Sequence, residues 1–149
     1  DNYLELVKGR AYGGDASALA TLRLALSCLL RLFAPFLPYV TEEVWSWHRE
    51  GSIHRASWPV VDEVPAGGDP DILAVAADVL SELRKAKTEA KRSMKTPVAA
   101  AVIRDTPARV AAARAALGDL VEAGVVEGDL AFEEAESFSV EVTLAEPAA

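Results

Sequence analysis

Apolar side chains recur at helical spacing in Tyr3, Leu4, Val7 and Ala11, and the run stops at Gly13-Gly14, which predicts a short helix at the start of the chain. The strongest periodic signal follows. Asp15 is placed to cap a helix to Phe33, whose broad stripe is Leu19, Leu22, Leu26, Leu29, Leu30 and Phe33, with only Arg23 and Arg31 charged inside it. A helix so apolar around its circumference is expected in the middle of a bundle, with Cys28 in its core. Pro35 and Pro38 end or kink it, because each removes a backbone donor and disfavours helical geometry in the preceding residue. A further helix with Val40, Val44 and Trp47 inward carries Glu42 and Glu43 near its N-terminus, where carboxylates complement the dipole, and closes at Gly51. From Gly51 to Gly68 no period is sustained, so an extended excursion and a boundary near Gly67 are expected.

Asp69-Pro70 then starts an amphipathic helix with Ile72, Val75, Val79, Leu83 and Ala86 on one face, running to about Met94. The apolar run Val98 to Ile103 predicts a strand covered on both faces. Thr106-Pro107 opens another helix with Val110, Ala113, Leu117 and Leu120 inward and Gly124 at its end. Val125 to Phe132 gives a weaker second strand around Gly128. Phe138, Val140, Val142 and Leu144 alternate with Ser139, Glu141, Thr143 and Ala145, the period-2 pattern of a half-exposed strand. The expected fold is mainly α: a helical bundle over residues 1–66, then over 69–149 a long basic helix and a small β-α-β-β subdomain.

The 149 residues suffice for one domain or two small ones, and half of them are hydrophobic, an ordinary globular composition. The most apolar stretch, Leu24 to Tyr39, is interrupted by Arg31, Pro35 and Pro38, so no membrane span is expected, a span needing roughly 18 uninterrupted apolar residues. The chain starts at Asp1 and its only methionine is Met94, which suggests a piece of a longer polypeptide. The lone Cys28 fits a reducing, cytoplasmic setting. The net charge of -8 is uneven: all 15 basic residues precede Ala115, and nine of the 23 acids lie after Arg114. A nearly neutral body with a local basic cluster can bind phosphate despite an acidic total.

Candidate chemistry is sparse. His48 and His54 are six residues apart with no cysteine or carboxylate at metal-ligand spacing, so no metal is expected. Glu42 and Glu43 are adjacent and diverge by about 100° on a helix, which suits a helix start rather than an acid–base pair. Gly13-Gly14 and Gly67-Gly68 lack the spacing of a phosphate-binding loop. Ser27 and Cys28 have no base nearby in sequence. The cluster LRKAKTEAKRSMK stands out. Arg84, Lys87 and Lys91 lie at i, i+3 and i+7 on one helical face, Lys95 continues it, and Lys85 and Arg92 flank it. Such a face can neutralise phosphates and release their counterions; cations at a helix C-terminus also simply complement the macrodipole. Trp47 is read as core, whereas Trp45 and Trp58 either stack on a base or fasten a loop to the bundle.

LLRLFAPFLPYVTEEVWSW, Leu29 to Trp47, resembles the apolar helix, A-P-F-L-P turn and T-E-E-V-W helix start of the anticodon-binding domains of class I aminoacyl-tRNA synthetases for large aliphatic amino acids. DNYLELVKGRAY, Asp1 to Tyr12, and GSIHRASWP, Gly51 to Pro59, are similar to the flanking stretches of the valyl-tRNA synthetases; the isoleucyl and leucyl enzymes share the proline turn but differ in the flanks. The resemblance is strong to about Asp62 and looser over the basic helix Leu83 to Val98. It implies a tRNA partner carrying valine, held at its anticodon stem-loop, and a monomer whose ATP- and Mg-dependent catalytic and editing domains lie outside this sequence. It likewise implies no catalytic residue, metal or cofactor in this chain. A C-terminal coiled-coil arm has no counterpart before Pro147-Ala148-Ala149. Lys8, Arg10, Tyr12, Arg84, Lys87, Lys91 and Arg92 are the candidate RNA contacts, with His54 and Arg55 placed by the family-like loop. Reversing charge at Lys87 and Lys91 together is expected to weaken RNA binding without unfolding. The alternatives in view are the equivalent module of an isoleucyl- or leucyl-tRNA synthetase, a protein-interaction adaptor whose basic face takes an acidic partner, and a catalytic domain with a cleft the sequence does not reveal.

Overall fold

The computed structural model describes residues 2–146, so Asp1 and the final Pro147-Ala148-Ala149, the expected end of the second region, lie outside the described residues. Among the described residues the chain is mainly helical, in the order α1 (Asn2–Tyr12), α2 (Ala16–Phe33), α3 (Pro38–Ser46), α4 (Pro70–Glu89), β1 (Val98–Asp105), α5 (Pro107–Ala115), α6 (Leu117–Gly124), β2 (Val126–Glu134) and β3 (Ser139–Leu144). Short 3₁₀ turns occur at Ile53–Arg55 and Val61–Glu63. Contacts group the chain into two units: one runs from Gly14 to Gly67, and the other joins the chain up to Gly13 with the chain from Gly68 onward. The sequence division at residue 66 placed α1 with α2 and α3. In the structure α1 packs on α4 and α6, and Leu6 enters the same core as Leu80 and Leu120.

In the unit containing the sheet, α4 starts as its sequence dictates: Asp69 Oδ1 accepts from the Asp71 N–H and Pro70 occupies the first turn. Its face of Val75, Ala76, Val79, Leu80 and Leu83 is buried. Each of the leucines contributes about 1.5–3 kcal/mol relative to exposure. The helix stops at Glu89, short of the expected Met94. Lys91 adopts a left-handed conformation (φ 53°), its N–H donates to Thr88 O and that of Arg92 to Lys87 O, the paired bonds of a Schellman C-cap. The expected single helix from Pro107 to Gly124 is broken at Ala116 into α5 and α6.

The strand order is β2-β1-β3, with β2 parallel and β3 antiparallel to β1. Helices α5 and α6 supply the crossover a parallel pair requires, and the link from β2 to β3 crosses the end of β1, where the Ala135 N–H donates to Asp105 O. Ala101 and Ile103 join Leu130, Phe132, Val140 and Val142 in the helix-side core. β1 was expected to be covered on both faces. Instead the other face presents Arg104, whose guanidinium bridges Glu133 (2.6 Å) and Glu141 (3.1 Å) on the flanking strands. The run is apolar because alanines occupy much of the open face. Buried Asp105 accepts from the Thr106 N–H and from Arg109 Nε, and Arg109 reaches Asp78 of α4.

In the unit from Gly14 to Gly67, Asp15 Oδ1 accepts from the Ala18 N–H as its sequence position predicts. Only Ala18, Ser27 and Leu30 of α2 are buried, while Leu26, Leu29, Leu32 and Phe33 are exposed, so the helix is not enclosed as expected. Over Ala16–Phe33 it is also long and apolar enough to cross a membrane by length and composition alone, with mean hydropathy 1.5. The exclusion based on Leu24 to Tyr39 missed this window, which begins earlier and contains only two charges. Helix α3 buries Thr41 and Trp45, not Val40 and Trp47. Thr41 is tolerated inside because its hydroxyl donates to Leu37 O (2.8 Å).

The register of β1 shifts on both sides between Val98 and Ala100, and opposite this bulge a Cβ on Gly128 would lie 1.7 Å from Ala99 O. Gly128→Ala is therefore expected to cost about 2 kcal/mol or more, read as a lower denaturant midpoint.

Candidate RNA-binding surface

In the unit containing the sheet, Lys8, Arg84, Lys87 and Lys95 line one recess with Glu5, Glu122 and the chain at Gly124. They do not contribute equally. Glu5 accepts from Lys8 (2.8 Å) and from Arg84 (2.9 Å), and these two cations hold its carboxyl below the usual range, the hydrogen bond from Lys8 foremost. Arg10 is more fully committed, with Nε and Nη2 donating to the two carboxylate oxygens of Asp119 at 2.6 and 3.0 Å. Tyr12 is 91% exposed. Arg92 is half-buried and donates to Ala145 O. Lys91 and Lys95 are exposed, and their ammonium groups have no ion-pair partner among the described residues.

Lys87 is corrected. Its side chain is 1% exposed, and Nζ donates to Met94 O (3.1 Å) and Gly124 O (2.7 Å). Burial, and then repulsion from Arg84, push its pKa down. The i, i+3, i+7 spacing suggested a shared face, but α4 ends before Lys91 and the Lys87 position faces α6 inside the fold. It presents no charge to phosphate, so the expectation that reversing charge at Lys87 leaves the fold intact is withdrawn.

In the other unit, His54 and Arg55 are exposed on the 3₁₀ turn. Glu42 builds that turn: its Oε2 accepts from Ser52 Oγ and from the Ile53 N–H, a tie between α3 and the loop beyond the helix-start role read from sequence. His54 Nε2 lies 3.2 Å from Pro38 O. Arg55 has no ion-pair partner among the described residues. Beneath the turn, the Arg31 guanidinium donates to both oxygens of Glu63 and to Ser57 O. Hydrogen bonds from Arg31, then from the Val60 N–H, lower the Glu63 pKa from 4.5 to about 2.

The tryptophans reverse their expected places. Trp45 is buried, with Arg49 over its ring at 5.6 Å, whereas Trp47 is 71% exposed and its indole N–H donates to Glu43. Trp47 lines a second recess with Arg23, Leu26, His48 and Arg49, a grouping the sequence reading missed. Its only sequence signal is the adjacent His48 and Arg49 after Trp47; Arg23 comes from another helix. Among the described residues no group of three or more His, Cys, Asp or Glu is placed to hold a metal.

The recess at Trp47 combines two arginines with an exposed aromatic face, the composition of a nucleic-acid surface, whereas the recess at Lys8 and Lys95 supplies cations without an aromatic ring. The family model for the anticodon-binding domain of tRNA ligases matches residues 1–103, and the chain belongs to that family. At the level of whole sequences it is 44% identical over its full length to a valine–tRNA ligase of Cutibacterium acnes. It is 46% identical over 96% of its length to one from Bifidobacterium longum, and 52% identical over 85% to one from Thermobifida fusca. The chain spans 15–18% of the length of these relatives.

Two outcomes test the local geometry. Lys87→Met leaves two carbonyls without their donor and is expected to cost about 1–3 kcal/mol per unsatisfied group, measured by urea unfolding. Because the folded pKa of Glu63 lies below its ordinary value, its contribution is fully present above pH 4.5 and is lost as pH falls toward about 2. Acid titration followed by tryptophan fluorescence is expected to show this loss, and Glu63→Gln to abolish that part of the profile.

Proposed function

We propose that this chain is the tRNA-binding module of a valine–tRNA ligase, holding the anticodon stem-loop while activation, aminoacylation and editing occur elsewhere in the full-length enzyme. The observation that carries the reading is the anticodon-binding family match, joined to valine–tRNA ligase relatives that cover 85–100% of the chain. Phosphate contacts would set register and contacts to loop bases would discriminate. For phosphate, the reading puts Lys91 and Lys95 first, because their charge is uncompensated, then Lys8, Arg84 and Arg92. Arg10 contributes less, since Asp119 already holds its fork. Tyr12, His54 and Arg55 are surface contacts in the same reading. ATP and Mg use, a cytoplasmic site of action and a monomeric state belong to the parent enzyme under this proposal.

Fluorescence anisotropy with a valine tRNA and an unrelated tRNA across a salt series tests it. The expected result is tighter binding of the valine tRNA and a negative log–log salt slope. Lys91→Glu with Lys95→Glu is expected to weaken binding and to flatten that slope by about 1 for each phosphate no longer neutralised. No binding by the folded chain at low salt would refute the reading.

A further inference from the structure

Trp58 lies beside a recess lined by Arg31, Ala34, Pro35, Ile53, His54 and Ser57. Trp58 is 58% exposed, while Ala34 and Ile53 of the same recess are buried at 6% and 3%. A tryptophan that merely fastened the loop would hide its ring, and this one does not. The loop is instead held by other groups: Arg31 grips Ser57 O and Glu63 on either side of Trp58, Glu42 secures Ser52 and Ile53, and Pro59 restricts Trp58 to an extended backbone. The indole is thus presented on a scaffold that needs no ordering when a ligand arrives, which lowers the cost of binding.

The polar groups around it suit a nucleotide. His54 Nε2 lies 3.2 Å from Pro38 O and 4.0 Å from Glu42 Oε2, so Nδ1 is the ring nitrogen without a partner among the described residues. The guanidinium of Arg31, which lines the same recess, is held by Ser57 O and Glu63, so the cation there is fixed in place. We infer that this recess takes one unstacked nucleobase of the bound RNA, stacked on the Trp58 indole, with His54 at its edge. The inference rests on the tRNA-binding proposal and assigns to this loop the base-reading part of it. Stacking of a base on an aromatic side chain is a large enough effect to detect on its own.

The test uses the full 149-residue chain and the anticodon stem-loop of a valine tRNA, with 2-aminopurine placed at successive loop positions. Wild type is expected to change 2-aminopurine emission at one position. Trp58→Ala is expected to weaken binding about tenfold and remove that signal, while Trp58→Phe keeps most of both. The log–log salt slope should stay constant, since the substitution removes no cation from the phosphates. Trp58→Leu, which keeps apolar bulk without a π-face, decides the matter if the alanine variant loses its circular dichroism signature of folding. Unchanged affinity in folded Trp58→Ala and Trp58→Leu chains that accompany an RNA-binding wild type would overturn this inference alone, as would equal losses in Phe and Ala. A wild type that binds no RNA would overturn it together with the proposed function.

Discussion

Moving an ammonium group out of water costs several kcal/mol, and Lys87 meets that cost by occupying the place where two helices end. Gly124 O, at the C-terminus of α6, is a carbonyl that helical geometry leaves without an intrahelical donor, and Met94 O lies in the turn that follows α4; both accept from Nζ. The cation also sits at the negative end of the α6 dipole. The contact fixes more than a side chain. Val125, immediately after, is forced into a left-handed conformation (φ 53°) that a β-branched residue avoids, and its carbonyl accepts from the Val98 N–H where β1 begins. The Lys91–Lys95 turn, which carries the uncompensated charge, therefore leaves α4 on a defined path.

Local compensation explains how a chain of net charge -8 can present cations. Three of the nine late acids are paired within the unit: Glu133 and Glu141 with Arg104, and Asp119 with Arg10. Glu5 reduces the fields of Lys8 and Arg84. What is left is a short cationic turn rather than a broad basic stripe, so electrostatics can position an RNA more readily than select one. Selection must come from groups that distinguish bases, and exposed aromatic rings with polar neighbours are of that kind.

Helix starts were legible because caps are local: Asp15 and Asp69 each lie within three residues of the N–H they accept. The alternation from Phe138 to Leu144 was legible because a one-sided sheet imposes it. Errors arose where a long-range contact sets the phase. Trp45 and Trp47 exchange roles because Thr41 satisfies its own hydroxyl and enters the core, turning α3 so that Val40 and Trp47 face outward while Val44 stays at the edge of the core. Lys87 looked like a surface cation because nothing near it in sequence identifies Gly124 as its acceptor. The Arg10–Asp119 pair spans 109 positions and has no local signature. The same reason placed α1 with its sequence neighbours rather than with α4 and α6.

The chain passes between its two units at Gly13-Gly14 and again at Gly67-Gly68, and Gly14, Gly67 and Gly68 have φ of 81°, 108° and 95°. Those conformations carry little penalty only for glycine, so the crossings sit where the backbone can take them without distorting the helix or loop on either side. Each unit then keeps its own supporting network: Lys87 with two helix ends in one, Arg31 with Glu63 and Ser57 in the other. Charge reversal on the Lys91–Lys95 turn and removal of the Trp58 ring act on different networks and different terms, ionic in the first case and stacking in the second. Loss of the turn's cations lowers affinity most at low salt and less as salt rises, whereas loss of a stacking ring lowers it by the same factor at every salt concentration, which makes the two contributions separable in a salt series.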